Sequence, residues 1–131
     1  MNERIKGRRI TIDAIIVKGN AILLIKRAHE PYKDMWALPG GYIEWDETAE
    51  EAVIREVREE TGLTVTNMYM LTVYSKPERD PDQKITIAYA VEATGEATAG
   101  DDASECQWFE LDNLPELAFD HKKIIEAYKE I

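Results

Sequence analysis

The stretch from Gly41 to Leu63, GYIEWDETAEEAVIREVREETGL, decides the fold of this 131-residue chain. Its centre reads as a helix from Asp46 to Thr61. Asp46, Glu47 and Thr48 offer a cap and put acid where the helix dipole favours it. Gly62, just past the end, is the usual C-terminal stop. At about 100° per residue, Ala49, Val53, Ile54 and Val57 fall on one arc, the expected core face. Glu56, Glu59 and Glu60 stand at i, i+3 and i+4, so their side chains converge on the neighbouring arc. Small Ala52 precedes them on that stripe, and Arg58 and Glu51 point to solvent.

Three carboxylates on one stripe repel each other by roughly a few tenths of a kcal/mol per pair, and by more where they are partly buried. An acidic run is usually a solvated face, and that is the reading for Glu50 and Glu51. Glu56, Glu59 and Glu60 border the core arc and look toward a cleft edge. A hard divalent cation would offset their repulsion, and Mg²⁺ favours a few carboxylates plus substrate phosphates. Arg55, one turn before Glu59, can orient it through a charged hydrogen bond. Glu47 can pair with Arg55 across the helix start. An ordinary surface salt bridge, worth little, explains that last pair equally well.

Upstream, the β-branched run Ile10 to Val17 reads as a strand, Gly19-Asn20 as a turn, and Ala21 to Arg27 as the second arm of a hairpin. Glu30 to Asp34, with Pro31, is a loop. Ala37 to Tyr42 is short and broken by Pro39-Gly40-Gly41. Downstream, Leu63 to Ser75 and Ile85 to Ala93 read as strands, joined by the polar loop Lys76 to Lys84. Gly95 to Ser104 is a small, acidic loop, and Cys106 to Phe109 a last short strand. Asp112 to Leu117 is read as one helical turn, and Asp120 as the cap of a final helix through Tyr128. Strands, helix, strands, helix predict an α+β fold, an α/β/α sandwich with a mixed β-sheet flanked by helices.

Lys and Arg number 16 against 26 Asp and Glu, a net charge of −10. Such a chain is a poor sequence-independent binder of nucleic acid, which needs cations against phosphates. One cysteine, Cys106, allows no internal disulfide. The longest apolar run is five residues, too short to span a membrane. Arg4, Lys6, Arg8 and Arg9 mimic the start of a signal peptide, but Asp13 interrupts the apolar stretch behind them and no small-residue cleavage site follows. A single cytoplasmic domain, residues 1–131, is expected.

Gly41, five residues, Glu47, seven residues, then Arg55-Glu56-Val57-Arg58-Glu59-Glu60-Thr61-Gly62-Leu63 matches the Nudix box at every specified position. The resemblance extends over the whole chain, since Ala37-Leu38-Pro39-Gly40-Gly41 also fits. Members of that family hydrolyse a nucleoside diphosphate linked to another group. The resemblance implies that Glu56 and Glu60 are the chief metal ligands and that Glu59 assists as ligand or base. It further implies that the carbonyl of Gly40 completes the shell. The ion is expected to be Mg²⁺, with Mn²⁺ as a substitute. Many members carry Gly before the first box Glu, where this chain has Trp45-Asp46. An acidic protein binds an anionic pyrophosphate only if cations bridge the two, so the charge of −10 and the metal requirement agree.

Outside the box, Ser75-Lys76-Pro77-Glu78-Arg79-Asp80-Pro81 resembles the loop of ADP-ribose pyrophosphatases, with Pro77 fifteen residues after Gly62. Ile25-Lys26-Arg27 through Pro31 and the C-terminal pieces Ala99 to Ala103, Trp108-Phe109 and Leu114 to His121 are similar to the same group. The substrate candidates are Arg27, Trp36, Arg79, Asp80 and Asp102. Arg79-Asp80 can equally be a self-paired loop, and Trp36 and Trp108 core aromatics. His121 reads as structural, bonded to nearby backbone, and Cys106 as a packing residue. Glu105 and Asp102 are candidates for the extra acid that family members bring from a loop. The resemblance implies hydrolysis of ADP-ribose to AMP and ribose 5-phosphate by a homodimer. The alternatives are a (d)NTP-sanitising pyrophosphatase and a non-catalytic sensor of ADP-ribose or a nucleotide.

Overall fold

The computed structural model describes residues 7–100 and 103–131. The strands are β1 (Ile10–Lys18), β2 (Ala21–Arg27), β3 (Trp36–Ala37), β4 (Gly40–Tyr42), β5 (Thr64–Tyr74), β6 (Ile85–Thr94) and β7 (Ala103–Glu110). The helices are α1 (Ala49–Thr61) and α2 (His121–Lys129), with a 3₁₀ turn over Pro77–Arg79. The sheet runs β3-β2-β1-β6-β5, with β4 added to β1 and β7 to β2. β1 and β6 are parallel from Ile10↔Ile85 to Ile16↔Val91, and the other pairings are antiparallel. The mixed sheet expected from the element order is therefore present.

Strand parity distributes the core. Successive side chains of a strand point to opposite faces. Ile12, Ala14 and Ile16 of β1 join Leu23, Tyr89 and Val91 in a cluster with Ala52, Val53 and Val57 of α1. Ile15 joins Ile22, Leu24 and Ala88 in a second cluster with Ile124 and Ile125 of α2. One face of the sheet thus belongs to each helix. Asp13 and Thr86 have the parity of the α2 face, and both are buried there.

α1 begins at Ala49, three residues later than the sequence suggests, because Thr48 rather than Asp46 caps it. Glu51 N–H donates to Thr48 Oγ1 at 3.0 Å and Thr48 N–H donates to Glu51 Oε1 at 2.8 Å, a reciprocal capping box. Gly62 closes the helix in the left-handed region at φ 76°, its N–H donating to the Arg58 carbonyl at 3.0 Å. Ile54 is a correction. It is 47% exposed, and Ala52 takes its place on the buried face. Glu50 is not merely solvated, for its Oε2 accepts from Tyr89 Oη at 2.9 Å. Residues 112–117 form no helix, and β7 starts at Ala103, earlier than expected. α2 does begin after Asp120, but the Asp120 side chain makes no capping bond. Removing the α1 cap should be measurable: Thr48→Ala is expected to cost about 1 kcal/mol, read as a lower urea midpoint with an unchanged slope.

Candidate active site

The carboxylate stripe of α1 is graded in depth. Glu60 is 7% exposed, Glu56 is nearly buried, and Glu59 is exposed. The order follows from position, since Glu56 and Glu60 flank the buried face and Glu59 lies one step further round. The turn between β3 and β4 packs on these groups. Gly40 N–H donates to Glu60 Oε1 at 2.8 Å. A Cβ at Gly41 would overlap Glu56 Oε2, and one at Gly100 would lie 2.5 Å from the Glu59 carbonyl oxygen. Only glycine lets the backbone come so close to the stripe.

Arg55 organises the exposed side. Its Nε and Nη2 donate to the two oxygens of Glu47 at 2.7 and 3.0 Å, Nη2 also to the Tyr42 carbonyl at 3.0 Å, and Nη1 to Glu59 Oε1 at 3.1 Å. The pair with Glu47 is thus a bidentate fork, built into the site rather than a loose surface bridge. The Arg55 hydrogen bond, helped by the Glu44 N–H, holds the Glu47 carboxyl down at about 2, while Glu47 chiefly raises the Arg55 guanidinium. The thiol of Cys106 is pushed up to about 11, by burial first and then by the Glu60 charge, as suits a packing residue. Burial, then Glu50, pushes Tyr89 up to about 12.

Two hollows meet at this turn. A cleft of about 840 Å³ runs from Arg8, Arg9 and Trp45 to Glu47, Arg55, Glu56 and Glu59. A smaller cavity of about 310 Å³ lies on the α2 face, lined by Asp13, Arg27, Gly40, Gly41, Arg79, Asp80, Lys84, Thr86, Phe119, Asp120 and His121 among others. Tyr42 borders both.

Of the residues expected to contact substrate, Arg27, Arg79 and Asp80 line one cavity. Arg79 is not paired with Asp80. It forks onto Asp120 at 2.8 and 2.9 Å and donates to the Lys84 carbonyl and Thr86 Oγ1 at 3.0 and 3.1 Å. This is why Asp120 does not cap α2. Burial opposes ionisation of both partners, but the fork prevails, raising Arg79 and lowering Asp120 from their ordinary values. Asp80 accepts the N–H groups of Asp82 and Lys84. Trp36 borders neither hollow. Its ring packs edge-on against Phe109 at 4.7 Å in the α2-side core. Glu105 lies on β7, opposite Lys26 and paired with it at 3.3 Å, rather than in a loop. Asp102 falls outside the described residues. Asp13, Lys84 and Thr86 are among the cavity residues to which the motif reading gave no role, while Phe119 and Asp120 lay in the C-terminal run but were given no site role. Asp13 carried a usable signal, a charge in the middle of a strand rich in β-branched residues.

Among the described residues, no three His, Cys, Asp or Glu side chains are gathered into a complete metal cage. The donor set nevertheless fits a hard ion. Mg²⁺ is held by one or two carboxylates and keeps water and substrate phosphate in the rest of its shell. Glu56 and Glu60 supply carboxylate oxygen beside a glycine turn that a Cβ would block.

Known proteins share this fold. Residues 7–128 match the NUDIX domain, and the chain belongs to that family. It is 53% identical over 121 residues to the ADP-ribose pyrophosphatase of Methanocaldococcus jannaschii, covering 91% of this chain and 72% of that one. The NUDIX domain of Shewanella oneidensis NrtR, crystallised with ADP ribose, superposes with a TM-score of 0.86 at 28% identity, over 96% of this chain and 89% of that one. A MutT/nudix family protein from Enterococcus faecalis gives 0.86 at 30% identity over 99% of this chain, which spans 64% of its length.

Two outcomes follow from the geometry. Gly41→Ala, which drives a methyl into Glu56, should lower hydrolysis by about a hundredfold, as an ångström-scale misplacement does, with the far-UV spectrum unchanged. The Glu47 carboxyl is depressed from 4.5 to about 2, so its contribution to stability is complete above pH 4.5 and lost as pH falls toward 2. Acid unfolding of Glu47→Gln should lack that component, and the Glu47 carboxyl carbon resonance should titrate near pH 2.

Proposed function

We propose that this NUDIX hydrolase cleaves the pyrophosphate of ADP-ribose to AMP and ribose 5-phosphate, using Mg²⁺ or, as a substitute, Mn²⁺. The observation that carries the reading is the junction of the carboxylate stripe with a cavity walled by Arg27, Arg79 and Lys84. The name of the 53% identical relative supports the choice of substrate. Glu56, Glu60 and the Gly40 carbonyl would hold the metal, with Glu59 as an additional ligand or base. When bound there, the ion supplies charge neutralisation and lowers the pKa of water.

The chain's own groups do the rest. The attacking water forms a bond to one phosphorus, the bridging P–O bond breaks, and the displaced monophosphate leaves with the bridging oxygen. Glu59, the most exposed carboxylate of the stripe and hydrogen-bonded to Arg55, would take the water proton. Arg55, itself oriented by Glu47, aims that carboxylate. Arg27 and Lys84 offer positive charge to the distal phosphate or ribose, while Arg79 and Asp80 shape the wall through their internal bonds. Glu105 and Asp102 remain the candidates for an extra acid. The reading takes residues 1–131 as one cytoplasmic domain, active as a homodimer on a small nucleotide, with neither nucleic acid nor membrane as partner. The charge of −10 supports the exclusion of nucleic acid.

A panel of ADP-ribose, ADP-glucose, NADH, diadenosine polyphosphates and (d)NTPs, run with Mg²⁺ and with EDTA, tests this. ADP-ribose should be cleaved preferentially to AMP, EDTA should stop turnover, and Glu60→Gln should lower kcat/KM by at least about a hundredfold. Preferred cleavage of triphosphates would overturn the substrate, and unchanged Glu60→Gln turnover would overturn the metal assignment.

A further inference from the structure

Asp13 and His121 are each 6% exposed, and neither belongs to the carboxylate stripe. A carboxylate is seldom buried this deeply in a strand without a partner and a purpose. Asp13 Oδ2 lies 3.2 Å from His121 Nε2. The other ring nitrogen, Nδ1, accepts the backbone N–H of Leu38 at 3.0 Å. An incoming N–H at Nδ1 puts the ring proton on Nε2, where it faces Asp13. The expected bond of His121 to nearby backbone is therefore a long-range one, 83 residues away along the chain.

Its consequence lies in the turn that it grips. Three successive residues there are each held by a different element. Leu38 N–H is held by His121, the Pro39 carbonyl accepts from Ala14 N–H at 2.8 Å, and Gly40 N–H donates to Glu60 Oε1 at 2.8 Å. Gly40 presses on β1 so closely that a Cβ would overlap the Ile12 carbonyl oxygen and lie 2.5 Å from Asp13 Oδ1. One end of this chain of contacts is the buried pair, and the other is a carboxylate of the stripe. The segment Phe119-Asp120-His121 also builds the cavity, because Asp120 grips Arg79 and Phe119, at φ 54°, lines it.

We propose that His121, oriented by Asp13, is a positioning residue: it holds the Leu38–Gly40 turn, and through Gly40 N–H it sets the Glu60 carboxylate. A pair that merely docked α2 would stabilise the fold without tuning the turn. The effect on metal binding rests on the reading of Glu60 as a ligand, whereas the effect on the turn does not.

The test uses His121→Leu, His121→Asn and His121→Gln in the full chain. Asn places an oxygen near the Nδ1 position and can still accept from Leu38. Gln reaches the Nε2 position and keeps only the link to Asp13. Amide exchange at Leu38 and Gly40 is measured without metal, and Mn²⁺ binding by the loss of free-ion paramagnetic signal. In the Leu variant, exchange at both amides should quicken about tenfold or more while Ile15 and Leu23 amides stay slow, as local opening requires. Mn²⁺ affinity should fall several-fold, and kcat by about tenfold with KM changed less than about threefold, the mark of a lost positioning effect. Asn should restore slow exchange and Gln should not. Unchanged exchange at Leu38 and Gly40, or equal acceleration at all core amides, would overturn the proposal. If the Leu variant does not fold, the Asn and Gln variants decide alone: better protection with Asn supports it, and equal protection overturns it. Mn²⁺ binding that survives Glu60→Gln would refute the ligand reading, and the exchange data would still judge the turn.

Discussion

The repulsion among Glu47, Glu56, Glu59 and Glu60 is the constraint on which the rest of the structure depends. Arg55 contains it, lying within 4.0 Å of Glu44, Glu47, Glu56 and Glu59 at once. Glu60, the deepest of the four, is instead held by a backbone N–H from Gly40. A charge-assisted bond to a rigid turn fixes a buried carboxylate without cancelling its charge. The site therefore keeps a net negative field, matched to a cation, while every carboxylate is anchored in place. The glycines at 41 and 100 follow from the same requirement, since a Cβ there would meet the Glu56 side chain or the Glu59 carbonyl, whereas at Gly40 it is Ile12 and Asp13 of β1 that leave no room for a Cβ.

The sheet makes this possible by sorting its two faces. Alternation along β1 sends Ile12, Ala14 and Ile16 to the α1 side and Asp13 and Ile15 to the α2 side. The carboxylate helix and the cavity are thus built on opposite faces of the same strand. They meet where β4 and its turn cross β1. At that crossing Tyr42 borders both hollows, and the turn residues touch Glu56 and Glu60 on one side and Asp13 and His121 on the other. The fork of Arg79 on Asp120 closes the cavity's far wall and ties the loop after β5 to the start of α2.

Much of this was legible in the residues. The helix, its Gly62 stop and the i, i+3, i+4 carboxylates were plain because helical periodicity is a local property. Arg55 with Glu47 was legible as a pair but open between two readings, because Glu47 precedes the Thr48 cap and helical periodicity does not place it. Ile54 was misplaced because a four-residue apolar arc is too narrow to define the buried face, and small Ala52 proved the better packer. Asp120 and His121 looked like helix-start residues, yet their partners, Arg79, Asp13 and Leu38, lie 41 or more residues away in sequence. No local pattern announces a contact made by tertiary folding. Trp36 was ambiguous for the opposite reason, since an aromatic ring suits a core and a stacking platform equally, and here the neighbouring Phe109 decides for the core.

The most direct test of the carboxylate stripe as a metal centre is a crystal structure with Mn²⁺ and a non-hydrolysable ADP-ribose analogue, read by anomalous scattering. An Mn²⁺ peak bound by Glu56 and Glu60 beside the Gly40 carbonyl, with the pyrophosphate spanning the crossing at Tyr42, is the expected result. Mn²⁺ bound away from α1, or an analogue lodged in the cavity with no ion on the stripe, would contradict it.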